Sequence, residues 1–135
     1  MTPNSPPSPL PIVRIALIAG VLLFGVVIPF IHKQPGWTPA ANFPLAIAYA
    51  QAALSAVAVV AAFVIRSKAA MAPDDATRGA FVLTGWSIGQ GAALFGGVIF
   101  FLAGDWHWYA IGLVAMAISF TLLPIRGASL PNRRG

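Results

Sequence analysis

There is no cysteine and no glutamate in these 135 residues, and only two histidines. The first absence removes disulfide scaffolds and every thiolate-based metal or redox site, and two imidazoles are too few for most other metal centres. Charge is scarce as well, at eight Lys and Arg against three acids, or 8% of the chain. An ordinary soluble domain carries roughly 25%. With 59% of the residues hydrophobic, eleven charged side chains are too few to keep the apolar surface dispersed in water. Intrinsic disorder and a cytosolic enzyme fold are excluded on the same ground, and the composition reads as an integral membrane protein. The net charge of +5 forms no basic stripe interleaved with exposed aromatics, so nucleic acid is not an expected partner.

What is present is a set of four long apolar runs, each bounded by charges or prolines that a bilayer core would reject. They predict membrane-spanning helices at about 12–31, 45–65, 79–104 and 108–125, each at or near the roughly 20 residues needed to cross about 30 Å of hydrocarbon. None alternates in the way a barrel strand would, and lipid offers no partner for an open backbone, so helix is the state expected. Pro44, and Pro73 with Asp74 and Asp75, are suited to helix starts, while Pro29 and Pro124 should bend or end the first and fourth helices. No small-residue cleavage site follows the first run, which is therefore read as an uncleaved span. The fold expected is all-α, a four-helix membrane bundle over 11–126 with a Pro-rich tail at 1–10 and a basic tail at 127–135. The breaks placed by charge leave His32 and His107 in loops.

Arg14, Arg66, Lys68, Arg78, Arg126, Arg133 and Arg134 all fall on one side of this arrangement, and only Lys33 on the other. Seven against one predicts both termini in the cytoplasm of a bacterial cell, with the protein a multi-pass component of the inner membrane. Trp37, Trp106, His107, Trp108 and Tyr109 then lie at the outer face. Aromatic rings are enriched at such interfaces, so anchoring is expected for Trp37 and a docking surface for the 106–109 cluster.

Inside the spans no acid, lysine or histidine appears, which disfavours proton-coupled exchange by a membrane carboxylate. The polar residues left include Gln51, Ser55, Ser87 and Gln90. Gln90 lies nearest the middle of its span, and depth counting sets it beside Ser55, which predicts a hydrogen bond between the second and third helices. Gly85, Gly89, Ala93 and Gly97 recur every four residues and make one face of the third helix narrow enough for a second backbone. Ala48, Ala52 and Ala56 repeat that spacing on the second helix and are the partner face expected.

The stretch 78–104, with Gln90 at its centre and Phe95-Gly96 beyond it, resembles the carboxylate-bearing helix of the rotor-ring proteolipid, subunit c of ATP synthase. Gln90 stands at the glutamate position of that family and Phe95-Gly96 at its aromatic-glycine pair. Gln90 holds no exchangeable charge, and the second helix has no Gly-x-Gly-x-Gly run, so the resemblance implies a relative that does not translocate protons. More broadly, the chain is similar to uncharacterised small four-helix membrane proteins of bacteria.

These features predict a small accessory subunit, not an enzyme, that packs among other membrane subunits or copies of itself through its glycine and alanine faces. A small oligomeric transporter or channel lined by Gln51, Ser87 and Gln90 is the other expectation. No metal or cofactor is called for, and the apolar faces leave room for a lipid, quinone or pigment.

Overall fold

A computed structural model describes residues 9–124, and among these the chain is entirely helical outside its turns. Helix α1 runs Leu10–His32, α2 Leu45–Ala70, α3 Asp75–Ala103 and α4 Trp106–Leu122. The tails expected at 1–10 and 127–135 lie wholly or mostly outside the described residues, as do Arg126, Arg133 and Arg134. The first three helices, of 23, 26 and 29 residues, are each long and apolar enough to cross a membrane. The 17 residues of α4 are equally apolar but shorter.

Helix ends depart from the expected spans because backbone capping, not the edge of the hydrocarbon, decides where a helix stops. Asp74 takes the N-terminal amide of Thr77 on its carboxylate at 2.7 Å, so α3 begins ahead of Arg78. Asp105 does the same for His107 at 3.0 Å. Residues 106–109 are therefore the first turn of α4, and His107 is helical. His32 is likewise the last residue of α1, which continues through Pro29 without ending there. Pro124 stands just past α4. Gly104 closes α3 at a positive φ of 75°, a conformation glycine adopts without strain.

Helix α3 is the centre of the bundle: α4, α2 and α1 all pack on it, and α2 also packs on α4. The α1–α2 connection passes over the end of α3, where the Ala40 amide donates to the Leu102 carbonyl at 2.9 Å. Most of α1 is left open, with Leu22, Leu23, Val26 and Phe30 exposed. In lipid that is no anomaly, since exposed apolar side chains meet acyl chains instead of water.

The Gly85-Gly89-Ala93-Gly97 row is buried, chiefly against α4 and α1, and it meets α2 at Ile65, which a Cβ at Gly85 would approach to 3.6 Å. A Cβ at Gly89 would stand 3.2 Å from Met116 Cα, and one at Gly97 2.5 Å from the Phe24 ring, in α4 and α1 respectively. On α2, Ala48 is buried while Ala52 and Ala56 face outward. The buried row there is Ala48, Gln51, Ser55, Ala58 and Ala62, spaced alternately by three and four. A strict four-residue spacing drifts around a helix of 3.6 residues per turn, and the alternating one follows a single face.

Close approach of α3 and α4 centres on Gly112, where a Cβ would lie 2.7 Å from Ala93 Cα and 3.0 Å from the Ala92 carbonyl carbon. Both neighbours are backbone and cannot swing aside. Gly112→Val is expected to cost about 1–3 kcal/mol through overpacking. Gly91, whose added Cβ would meet nothing within 4 Å, is the control: Gly91→Ala should leave stability unchanged or raise it by up to about 1 kcal/mol. Thermal unfolding of the two variants in one detergent reads the contrast, and equal melting points would contradict the crossing.

Candidate functional site

The helix crossing brings two carbonyls, Ala92 of α3 and Trp108 of α4, to the same side of a gap that only glycine leaves open. A Cβ at Gly96 would fall 2.8 Å from Gln51 Nε2 and 3.0 Å from the Trp108 carbonyl carbon. Gln51 enters this gap from α2 and is fully buried. Its Nε2 donates to Ala92 O at 2.8 Å, with Ser55 Oγ at 3.3 Å and Trp108 O at 3.4 Å also in reach. One amide thus ties three helices. Turning the amide over would set its oxygen against the Ala92 carbonyl, so the network itself assigns the orientation. Oε1 is then buried with no hydrogen-bond partner among the described residues.

Three further donors follow the same pattern of side chain to helix carbonyl. Tyr109 of α4 donates its hydroxyl to Val21 O of α1 at 2.6 Å. Gly25, one turn along α1, makes this possible, because any Cβ there would collide with the phenol. Trp86, also fully buried, donates Nε1 to Leu123 O at 3.0 Å. Its ring stacks on Phe120 with centroids 5.1 Å apart, and the Arg14 guanidinium lies 5.8 Å and 5.6 Å from the two centroids. At the opposite end, His32 Nε2 stands 3.2 Å from Phe101 O while its ring lies 3.8 Å from that of Trp37.

The candidate polar residues do not converge. Ser55 bonds Gln51 within its own helix, and Gln90 is half-buried on α3, with no hydrogen bond to any described residue. The expected Gln90–Ser55 pair is not formed. Ser87 is exposed and returns its hydroxyl to Leu83 O at 2.8 Å. Ser67, Thr84, Ser119 and Thr121 likewise bond the carbonyl four residues back, so these hydroxyls are occupied by their own helices. Among the described residues no group of three or more His, Cys, Asp or Glu is placed to hold a metal ion.

The aromatic cluster also divides. Trp37 packs inward on His32, Tyr109 is internal, Trp108 is half-buried, and Trp106 and His107 remain exposed. Asp105 Oδ1 lies 2.6 Å from His107 Nδ1. That side-chain bond, reinforced by the His107 amide, holds the Asp105 carboxyl below its usual range. A lowered carboxylate contributes stability above its ordinary pKa of about 3.9 and forfeits it as pH falls through the folded value.

Compared with protein-family models, curated proteins and solved structures, the chain matches none of them.

Reading by residue type missed the importance of Gln51, Tyr109 and Trp86 as helix ties. The signal was present in the three-and-four spacing that runs through Gln51 and Ser55, and in Gly25, one of two glycines in α1. The junction can be tested by removing the donor. Gln51→Leu keeps a side chain of similar length but offers nothing to Ala92 O, and should cost about 0.5–1.5 kcal/mol, the net worth of a typical hydrogen bond. Thermal unfolding in one detergent reads the loss. A melting point equal to that of the wild type would show that the Gln51 amide does not hold the three helices together.

Proposed function

We propose that this chain is a small structural subunit of a bacterial inner-membrane assembly, and that it acts by lateral packing instead of catalysis. The observation that carries this reading is the Gln90 amide, half-exposed near the middle of α3 without a partner among the described residues. An unpaired amide in hydrocarbon costs about 1–3 kcal/mol. A neighbouring helix would relieve that cost. Beside Gln90, the outward face of α3 carries Ala80, Thr84, Ser87 and Gly91, small side chains that let another backbone come close. The interior already has its own small-residue face, so this second one is surplus to the bundle.

In this proposal α4 is a fourth crossing, its aromatic first turn resting at headgroup level. Arg14, Arg66, Lys68 and Arg78 gather at one end of the bundle and Lys33 at the other, which favours a cytoplasmic location for both termini and the α2–α3 connection. The partner is another membrane subunit.

With no native cysteine, a single Gly91→Cys substitution gives one crosslinking site on the proposed face. In native membranes it should yield an adduct with a different membrane protein. Gln90→Leu is expected to weaken that association roughly three- to twentyfold, the worth of one interhelical hydrogen bond, while the isolated protein melts unchanged. An adduct only with its own copies would favour an oligomeric transporter or channel, and no adduct at all would overturn the lateral-packing reading.

A further inference from the structure

At the basic end of the bundle α2, α3 and α4 leave a cavity of about 280 Å³ between them. Its lining is mostly apolar, with Val82, Leu122 and Leu123, and includes Arg66 and Arg78. Arg78 is fixed in place, with Nε on the Ala69 carbonyl at 3.2 Å and one terminal nitrogen on Asp75 at 3.2 Å. Arg66, on the last turns of α2, has no ion pair among the described residues. Two arginines from separate helices beside an apolar lining suit a phosphate group: Arg66 can offer paired N–H donors, and Arg78 the terminal nitrogen that Ala69 and Asp75 leave unused.

Two shallow apolar grooves lie near this cavity, one on the outer face of α2 and one on that of α4. One, of about 400 Å³, follows α2 from Ile65, the residue before Arg66, back to Ala56. The other, of about 390 Å³, follows α4 from Leu122, which also lines the cavity, to Val114. Small side chains open them, Ala56 and Ala61 in the first and Ala117 in the second. Both run from the basic end towards the bilayer centre, the direction acyl chains take from a headgroup.

We propose that this end of the bundle is a binding site for one acidic diacyl phospholipid, its phosphate held between Arg66 and Arg78 and its two chains laid along α2 and α4. The site depends on the protein being embedded in a membrane, but not on any lateral subunit. A free phosphate would satisfy the arginines and leave both grooves unused. A zwitterionic lipid would fill the grooves and bring its own cation to the arginines.

The test uses the full chain purified in mild detergent, away from any partner, titrated with dioleoylphosphatidylglycerol, dioleoylphosphatidylcholine or glycerol phosphate. Native mass spectrometry should show one phosphatidylglycerol retained per chain, with a raised melting temperature, and neither effect from the other two. Arg66→Gln, which removes no contact within the described chain, should weaken phosphatidylglycerol binding roughly fivefold, the worth of one basic residue at an anionic surface. Ala117→Phe, which fills the α4 groove without touching the arginines, should weaken it as well. Equal binding of phosphatidylcholine would reduce the site to ordinary annular lipid, and equal binding of glycerol phosphate would make it a soluble-anion site. Either outcome, or an unaffected Arg66→Gln protein, overturns the proposal. Because no subunit is present, failure of the lateral-packing reading leaves this result unchanged.

Discussion

The contact between the backbones of α3 and α4 at Gly89, Gly96 and Gly112 is what the rest of the bundle is arranged around. In lipid no hydrophobic force drives helices together, because acyl chains are as apolar as leucine. Association depends on close van der Waals contact, which side-chain bulk prevents and glycine permits. At this crossing a single methyl group on Gly112 would press into the backbone of Ala92 and Ala93. Only because the two helices are this near do the Ala92 and Trp108 carbonyls come within reach of one amide from α2.

From that crossing outward, every interhelical tie has the same chemistry. Gln51, Tyr109 and Trp86 each donate to a backbone carbonyl of another helix or its end, and the His32 ring nitrogen faces one too. A carbonyl has a second lone pair to offer after its helix bond is made. The ties therefore add contacts without breaking a helix and without burying an unpaired charge. No tie among Gln51, Tyr109 and Trp86 involves a group that titrates near neutral pH. A bundle held in this way is suited to staying in one arrangement, which agrees with a structural role better than with alternating access.

The surface is divided by chemistry into regions with separate uses. α1 shows lipid a bulky aliphatic face, α3 shows a narrow face of small and polar residues beside Gln90, and the basic end collects arginines over an apolar hollow. The first is what a bilayer solvates on its own. The other two are the places where the proposed subunit and phospholipid would meet the chain.

Four helices, their approximate ends and the clustering of cations at one end were legible in the amino-acid order, because length, hydropathy and charge act on each segment alone. The caps at Asp74 and Asp105 are also local, but Asp105 stands between two apolar runs, where a charge marks the edge of a span as readily as the start of a helix. Pairing was different. Ala48, Ala52 and Ala56 matched the spacing of the glycine row on α3, yet two of the three face outward and the row packs chiefly on α4 and α1. Which of several small-residue faces meets which depends on the angle and depth at which helices cross, a property of two elements at once. The same holds for the two glutamines: depth along the helix made Gln90 the central polar residue, but rotation about the axis placed Gln51 in the three-helix gap and left Gln90 on the flank. Segment composition determined that this chain forms membrane-length helices, and the relative rotation of those helices, set by where glycine lets backbones touch, decided which side chains hold them together.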